Sequence, residues 1–553
     1  MNYRNFTIPF AIALMSLIPL LDLFHPGLPI THDGEDHVIR VANFYRNLEE
    51  GNMIPRWSQN LNYGFGHPVL MFFYPLPYYT ASVFHFLGFS FIDSTKLFFG
   101  ITYILSGIFM FLFIRKLYGE TAGIFSSMLY LLAPYRFVDL YVRGAIGEHA
   151  AFLFVPLTLY FLVKLSKCFA LGSFIGASLS MAGLVLTHNA VSLMFLPFLF
   201  LYVGYLVLVS KARKSLIFTM ICVMLIGFGV SAFFWVPGVF EAKYTLRNIV
   251  TSGEYSARFI KDVASFAYGH WSYGGSGEFS VQIGIVHLLS ALSVLTVLIF
   301  LPKKNKPVRL IVLSLWLYSL VALFLMLPMS SFIWQQFIIL QNFQFPWRFL
   351  SVIVFTTSFL GGIFIYVIPT RYRVFIVVAL GVSLLLISKD YWHAKGYLIK
   401  NDDYFRGVKK TTTNDTGESS PIWSVRFMEH KPKAYIEVID GKAMISTIKR
   451  SLTVHRYRLT AVEKSRIREN TLYFPGCEVF VDCIKQDIEF QDPQNRGLMT
   501  FMVEKGKHAV DVRFTETKLR MFADIVSLVS IVFIIGLSGF SIVRRRRSNQ
   551  GFK

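Results

Sequence analysis

The sequence predicts a polytopic α-helical membrane protein with a β-rich domain outside the membrane. Three observations support this fold class. The chain has 553 residues, of which 54% are hydrophobic and only 16% charged, too few charges for the surface of a soluble protein of this size. Apolar runs of about 18–22 residues recur along it, the length that a helix needs to cross a bilayer. Strand-like runs separated by Gly and Pro turns collect near the C-terminal end.

Twelve apolar runs are predicted to cross the membrane, and one further apolar stretch is not. The first run, Thr7–Phe24, lacks a small-residue cleavage site, so we expect it to remain as a helix. The stretch Pro68–Gly88 is broken by two prolines, and counting it as a span would misplace the basic loops. It is therefore predicted to lie on the outer membrane surface. The other runs cover residues 98–114, 120–134, 150–164, 171–187, 190–209, 216–236, 282–301, 309–327, 349–368, 373–388 and 521–541.

The basic residues predict which loops face the cytoplasm. The net charge is +21, and it is concentrated in short clusters on alternate loops, as the positive-inside rule requires. This arrangement places both chain termini in the cytoplasm. No aromatic-interleaved basic groove accompanies the charge, which argues against nucleic acid as a partner. The clusters lie at residues 115–116, 164–167, 211–214, 303–309, 371–373 and 544–547.

The long first outer loop, 25–97, opens with an unusual concentration of ionisable residues. Asp33, Asp36, His37 and Arg40 are spaced so that they line one face of a helix. Paired carboxylates can orient an acceptor or deprotonate it. Asp33 could instead cap the helix with Asp36 in its first turn, and Asp33 with His37 could hold a divalent metal.

The residues that follow have a helical period. Asp36–Glu50 places apolar side chains on one face and polar ones on the other, so we expect an interfacial helix that lies along the membrane. The apolar face is Val38, Val41, Ala42, Tyr45 and Leu48, and the polar face is Asp36, Arg40, Asn43, Asn47 and Glu50.

A second polar cluster lies between the third and fourth predicted spans, also on the outer side. Arg136 and Arg143 could each grip a phosphate through two parallel hydrogen bonds. Asp139 and Glu148 either contribute to the same site or are simply the ion-pair partners of these arginines. Charges this close to a membrane are costly, which favours a function.

Two further residues are candidates for contact with a substrate. His188 lies in a short outer turn next to Asn189, where helix capping is the alternative. Arg348 follows Phe345-Pro346-Trp347 at the start of a span, where it could meet the phosphate of a lipid-linked donor or only snorkel to the interface. No Walker loop, GxGxxG turn or HExxH motif is present, so ATP or dinucleotide chemistry is not expected.

These patterns divide the chain into three parts. Residues 1–388 form the transmembrane domain, 389–519 form an antiparallel β-sandwich outside the membrane, and 520–553 form a last span with an Arg-rich tail. Cys477 and Cys483 are six residues apart in the β-rich part, where a disulfide could form.

Several motifs recur together along the chain. They are His32-Asp33-x3-His37-x2-Arg40, Pro55-Arg56-Trp57, Asn62-Tyr63-Gly64-Phe65-Gly66-His67-Pro68, Phe73-Tyr74-Pro75, Pro134-Tyr135-Arg136, Arg143-Gly144-x3-Glu148, Tyr473-Phe474-Pro475-Gly476 and Gly506-Lys507-His508. This set resembles the bacterial membrane-protein family labelled "6-pyruvoyl-tetrahydropterin synthase-related", although no histidine triad of a pterin synthase is present. The architecture is similar to the GT-C glycosyltransferase superfamily, whose members have many spans and an acidic residue just after the first helix.

The resemblance implies an inverting glycosyltransferase at the outer face of a bacterial plasma membrane, using a polyprenyl-phosphate sugar as donor. The acceptor would be an unidentified glycan, lipid or protein, and a divalent metal is conceivable. By position, Asp33 matches the first-loop acid, with Asp36 as the alternative, and Glu148 or Asp139 matches a second acid. The residues expected to bind substrate are His37, Arg40, Arg136, Asp139, Arg143, His188 and Arg348.

Two other functions compete with this one. A lipid or glycan transporter or flippase would need polar groups deep inside its spans, and this chain keeps most charges at their ends. A non-catalytic scaffold that presents the β-domain would not need acids and arginines on two separate outer loops.

Overall fold

Helices cover all twelve predicted spans. The computed structural model describes residues 4–274, 279–300, 306–414 and 416–550; Lys303 and Lys304 of the predicted inner loops lie outside these ranges. Within them, nine helices are long and apolar enough to cross a membrane, so the chain is a multi-pass membrane protein. The helices at the predicted spans are Arg4–Leu17 with the tighter turns Ile18–Phe24, Phe91–Tyr118, Glu120–Leu131, Ile146–Lys167, Leu171–Thr187, Asn189–Val209, Arg213–Val230 with Ala232–Phe240, Ile285–Phe300, Lys306–Leu325, Leu350–Val367, Thr370–Ser388 and Lys518–Gln550.

The helix at the third predicted span is short. Glu120–Leu131 has only 12 residues, and the chain then passes through the turn Pro134–Phe137 into a wide helical turn, Val138–Arg143. The short helix packs against Phe91–Tyr118 and Leu350–Val367.

The first loop folds into a compact layer over the membrane helices. Its main helix is Gly34–Glu49, and its short helices are Val69–Phe72 and Leu76–Phe86. Most of the apolar face of Gly34–Glu49 is buried. On the polar face, Arg40, Asn43 and Asn47 are buried as well, and Asn47 Nδ2 donates to the Trp57 carbonyl at 3.0 Å. That this helix lies along the membrane stays a prediction.

A β-domain precedes the last helix. After the short pair β1 (Leu28–Pro29) and β2 (Tyr397–Leu398), its strands are β3 (Ile436–Asp440), β4 (Ala443–Arg450), β5 (Val454–Ala461), β6 (Ser465–Leu472), β7 (Cys477–Val481), β8 (Ile484–Gln486), β9 (Leu498–Val503) and β10 (Gly506–Phe514). They form a sandwich of two antiparallel sheets, with strand orders β4-β5-β10-β7-β8 and β3-β6-β9, and apolar side chains of both sheets share one core. Cys477 in β7 and Cys483 in the following turn are both free thiols.

A buried ion pair joins the β-domain to the membrane helices. Arg520, in the first turn of the last helix, donates from Nε to Glu241 Oε2 at 2.8 Å and from Nη2 to the Pro475 carbonyl at 2.7 Å. Arg520 is fully buried. The pair therefore ties the end of Ala232–Phe240, the β-domain and the last helix to one another.

Candidate active site

A polar cavity lies at the same end of the membrane helices as the β-domain. Its volume is about 1080 Å³, counting the solvent-filled mouth. Four separate parts of the sequence bring their predicted site residues to it: the first loop, the turn before Ile146–Lys167, the turn before Asn189–Val209 and the start of Leu350–Val367. The predicted residues that line it are Asp33, Asp36, His37, Arg40, Arg143, His188 and Arg348.

Asp33 occupies the N-cap position of Gly34–Glu49, yet its carboxylate does not cap the helix. Thr31 Oγ1 accepts from the Gly34 amide at 3.1 Å instead. Among the described residues, no hydrogen bond or ion pair to the half-buried Asp33 carboxylate is present. Its side chain is therefore left for a ligand, and the capping alternative does not account for it.

Backbone hydrogen bonds hold the first loop beside the second polar cluster. The Asp33 amide donates to the Arg143 carbonyl at 2.8 Å. The chain can approach this closely because Gly144 has a φ of +66° and no side chain: a Cβ there would lie 2.2 Å from Thr31 Oγ1. The glycine of the Arg143-Gly144 motif thus brings Asp33 and Arg143 to the same cavity wall.

Arg143 is surrounded by oxygen atoms on its protein side. Its Nη1 donates to Asp139 Oδ1 at 2.7 Å, to Glu148 Oε2 at 2.8 Å and to the Tyr135 hydroxyl at 3.0 Å. All three bonds use the same nitrogen, so Nη2 and Nε remain for a ligand in the cavity. Burial and the nearby negative charge of Glu148 raise the pKa of Asp139 well above its usual range, which keeps this carboxyl protonated.

Glu148 and Asp139 do not line the cavity. Both are fully buried, and Glu148 lies behind the arginines, with Oε2 accepting from Arg143 and lying 3.9 Å from Arg348 Nε. The first turn of Ile146–Lys167 points Glu148 into the protein, where Tyr135 donates to its other oxygen at 2.8 Å. These contacts favour a positioning role for Glu148. Its predicted catalytic role and the predicted substrate contact of Asp139 stay predictions.

Arg348 reaches into the cavity rather than snorkelling. Its side chain is 15% exposed, its Nη1 donates to the Phe343 carbonyl at 2.8 Å, and its guanidinium lies over the Phe345 ring at 4.8 Å. His188 is on the same wall. Its Nδ1 accepts from the Val191 amide at 3.2 Å, so it both caps its helix and lines the cavity.

Arg136 does not line the cavity, and its contact with a phosphate stays a prediction. The side chain is fully buried, donates from Nη2 to Ser106 Oγ at 3.1 Å and packs on the Phe152 ring at 4.3 Å. The turn Pro134–Phe137 directs it into the helix packing, while Arg143, seven residues later, follows the wide turn that points the other way.

His37 and Arg40 also line the cavity. Arg40 Nη1 contacts His37 Nδ1 at 3.1 Å, and Tyr78 O–H is 3.2 Å from the same nitrogen. Burial, and next the charge of Arg40, lower the pKa of His37 well below its usual range, so its ring is neutral. A metal cation bound to His37 would face the Arg40 guanidinium, and this repulsion disfavours a metal site made of Asp33 and His37. Within the described ranges, no group of three or more His, Cys, Asp or Glu residues could hold a metal ion. Metal dependence stays a prediction.

Sequence reasoning missed the remaining walls. One comes from the segment after Ala232–Phe240 and the turn before Arg348, and the other from the chain just before the β-domain. Thr413 Oγ1 accepts from Arg40 Nε at 3.0 Å, although 373 residues separate the two. No local pattern marks these segments as parts of a site. The missed polar residues are Arg247, Asn342, Gln344, Thr413, Asn414, Thr416 and Glu418.

Among known proteins, sequence similarity to this chain covers only part of its length. No protein-family model matches the chain, so membership in the pterin synthase-related family stays a prediction. An uncharacterized protein of Lactococcus lactis subsp. cremoris (strain MG1363) is 28% identical over 294 residues, which span 50% of this chain and 47% of that relative. The chain thus spans about half the length of the curated relative that it matches.

Solved structures of membrane glycosyltransferases show a distant structural similarity to this chain. Arabinofuranosyltransferase AftD from mycobacteria overlaps 71% of this chain and 27% of its own, with a TM-score of 0.42 and 13% identity. A mutant of the same enzyme gives a TM-score of 0.44. ArnT from Cupriavidus metallidurans, bound to undecaprenyl phosphate, overlaps 73% of this chain and 68% of its own, with a TM-score of 0.36 and 14% identity. All of these TM-scores lie below 0.5, so the case for a function rests on the cavity itself.

Proposed function

We propose that the protein is a membrane glycosyltransferase. It transfers a sugar from a polyprenyl-phosphate donor to an acceptor hydroxyl at the outer face of a bacterial plasma membrane, with both chain termini in the cytoplasm. The observation that carries the proposal is the shared cavity: the Asp33 carboxylate, which has no hydrogen-bond partner among the described residues, faces it together with the guanidinium groups of Arg143 and Arg348.

In the proposed reaction, Asp33 takes the proton from the acceptor hydroxyl as general base. The hydroxyl oxygen bonds to the anomeric carbon of the donor sugar while the bond from that carbon to the phosphate oxygen breaks. Polyprenyl phosphate leaves with the electron pair of the broken bond, and attack opposite the leaving group inverts the anomeric centre. Arg143 and Arg348 stabilise the charge that develops on the leaving phosphate.

The supporting residues fit these roles. Glu148 lies within contact of both arginines and holds them in place. Two guanidinium groups side by side suit a phosphate ligand, which each of them can bind through parallel hydrogen bonds. Asp36 also lines the cavity and is the alternative base; Asp33 is preferred because its backbone is bonded directly to that of Arg143.

The test replaces the proposed base without changing its size. Purified protein in lipid nanodiscs is given undecaprenyl-phosphate glucose, galactose, mannose or N-acetylglucosamine, each labelled in the sugar, with bacterial membranes as the source of acceptor. We expect Asp33→Asn to lower transfer by about 100-fold or more, the usual loss for a general base. Glu35→Gln is the matched control, because Glu35 lies two residues away, accepts from the Tyr404 hydroxyl at 2.7 Å and does not line the cavity.

Two results would overturn the proposal. Transfer by Asp33→Asn at the wild-type rate would remove Asp33 from the chemistry. Movement of the labelled lipid across a bilayer, with no sugar transferred to any acceptor, would favour the flippase instead.

A further inference from the structure

Tyr74 is a polar residue of the cavity wall that the proposed reaction does not use. It lines the cavity and belongs to the Phe73-Tyr74-Pro75 motif of the first loop. Its hydroxyl makes no hydrogen bond to any residue that the structure describes. A mostly buried tyrosine usually finds a partner for its hydroxyl, so this group is open to a ligand.

Other buried tyrosines of the chain use their hydroxyls within the protein. The Tyr202 hydroxyl also lacks a partner in the described part of the chain, but it is buried away from the cavity. The unused hydroxyl of Tyr74 is therefore a feature of the cavity wall. Four tyrosines that do not line the cavity each donate to a protein oxygen at 2.6–2.9 Å: Tyr103, Tyr130, Tyr135 and Tyr141.

The Tyr74 ring is held firmly in place. The residue lies in the link between two short helices of the first loop, and Pro75 restricts the backbone of the residue before it. The ring is stacked on that of Tyr78 with centroids 6.2 Å apart and lies 5.1 Å from the His188 ring. Only 9% of Tyr74 is exposed. Its hydroxyl is thus positioned before a ligand arrives.

The hydroxyl end of Tyr74 lies beside the turn that positions the two cavity arginines. A Cβ on Gly147 would lie 2.3 Å from two carbons of the Tyr74 ring, one of which is Cζ, the carbon that carries the hydroxyl. The next residue, Glu148, contacts both Arg143 and Arg348. Because Gly147 has no side chain, the hydroxyl end of the tyrosine can approach these arginines closely.

The hydroxyl can donate a hydrogen bond but is not suited to be a base. Burial, and next the Tyr78 hydroxyl, raise the pKa of Tyr74 well above its usual range, so the group stays protonated at neutral pH. The charges of Arg40 and Arg348 lower this pKa and that of Asp33 raises it. The hydroxyl is therefore within electrostatic reach of both the proposed base and a phosphate-binding arginine.

We propose that Tyr74 binds the donor, its hydroxyl donating a hydrogen bond to an oxygen of the polyprenyl phosphate that Arg143 and Arg348 bind. This inference rests on the proposed function, because it assigns Tyr74 to the same leaving phosphate. An anionic oxygen is a stronger acceptor for the hydroxyl than a neutral one. A neutral donor beside two guanidinium groups orients the tetrahedral phosphate without adding charge, and no proton is transferred.

The test measures binding of undecaprenyl phosphate, which has the phosphate but no sugar. Full-length protein is reconstituted in nanodiscs that contain increasing mole fractions of undecaprenyl phosphate or of undecaprenol, its neutral counterpart, and bound lipid is counted by native mass spectrometry. Tyr74→Phe removes the hydroxyl and keeps the ring. We expect it to weaken binding of undecaprenyl phosphate by about tenfold or more, as for loss of a hydrogen bond to a charged group, and to leave binding of undecaprenol unchanged.

Tyr79→Phe is the matched control. Tyr79 lies five residues further along, donates its hydroxyl to the Met53 carbonyl at 2.6 Å and does not line the cavity. Tyr79→Phe should lower the free energy of unfolding, because this bond is lost, and should leave binding of undecaprenyl phosphate unchanged. Tyr74→Phe should show the opposite pattern, because its hydroxyl bonds to no described residue.

The outcomes separate the inference from the proposed function. Equal binding of undecaprenyl phosphate by the wild-type protein and Tyr74→Phe would overturn the inference alone, even if sugar transfer fell. Equal losses of binding in Tyr74→Phe and Tyr79→Phe would also overturn it, because the effect would not belong to the cavity. Failure of the wild-type protein to bind undecaprenyl phosphate more tightly than undecaprenol would overturn the donor assignment and the inference together.

Discussion

Removing the charge of Glu148 should destabilise the protein without abolishing its chemistry. Glu148→Gln keeps the shape of the side chain but deprives Arg143 and Arg348 of their shared counter-ion. Because Glu148 is fully buried, the surviving guanidinium charges are left in a medium that solvates them poorly. Breaking a buried pair in this way costs about 3–5 kcal/mol of unfolding free energy.

Asp139 should reduce this loss. Its pKa is held well above the usual range by burial and, second, by the negative charge of Glu148. Without that charge the pKa of Asp139 falls, so its carboxyl can ionise and pair with Arg143 Nη1, to which it is already bonded at 2.7 Å. We therefore expect Glu148→Gln to cost about 3 kcal/mol, at the lower end of the range.

The second carboxyl makes the argument testable by a double-mutant cycle. Asp139→Asn alone should cost about 1 kcal/mol or less, because a neutral amide replaces a neutral acid that accepts the same hydrogen bond. The double variant leaves Arg143 with no carboxylate at all. Its cost should exceed the sum of the two single changes by about 1 kcal/mol or more.

The measurement is reversible unfolding of the purified protein in mixed detergent micelles by increasing SDS, followed by tryptophan fluorescence. Additivity within about 0.5 kcal/mol, or a cost for Asp139→Asn as large as that for Glu148→Gln, would refute the reasoning. Sugar transfer gives a second readout: Glu148→Gln should raise the KM for the donor more than it lowers kcat, whereas Asp33→Asn should lower kcat.

Two other predictions concern stability. Burial opposes ionisation of Glu469, but the hydrogen bond and charge of His455, at 2.9 Å, hold the pKa of Glu469 below its usual 4.5. The ionised carboxylate therefore stabilises the β-domain fully above about pH 4.5, and this stabilisation is lost as the pH falls through the lowered pKa. Hydrogen exchange of the β-domain should show this acid dependence, and Glu469→Gln should flatten it. Gly66→Ala should cost more than about 2 kcal/mol, because the residue has a φ of +82° and its Cβ would lie 2.4 Å from the Trp57 ring. Gly51→Ala, at a φ of +88° with nothing within 4 Å of the added Cβ, is the control for backbone strain alone. Equal losses of unfolding free energy at the two glycines would contradict the expectation for Gly66. An unchanged acid transition in Glu469→Gln would contradict the expectation for Glu469.

Much of the fold could be predicted because its signals are local. Apolar runs and their lengths predicted where the membrane helices lie, and alternation with Gly and Pro turns predicted most strands of the sandwich. The short β8, Ile484–Gln486, carries no such signal. Its side chains are mostly exposed, so it lacks the alternation on which such a prediction depends.

The side-chain contacts of the site could not be predicted from local sequence patterns. Arg136 and Arg143 are the same residue type in one short loop, yet one packs among aromatic rings and the other faces the cavity. The difference comes from the wide turn Val138–Arg143, whose shape depends on what packs around it. In the same way, spacing alone could not show whether the Asp33 carboxylate caps its helix or faces a ligand.

The sequence by itself determined the membrane class, the order of helices and strands, and which loops carry ionisable groups, because hydrophobic periodicity and charge clustering act over a few residues. Only the tertiary structure decided which of those groups meet. Arg40 and Thr413 are neighbours across 373 residues, and Glu148 lies behind the arginines rather than beside a ligand. Such contacts depend on how whole helices and loops pack, because burial of their apolar faces decides which way each polar side chain points.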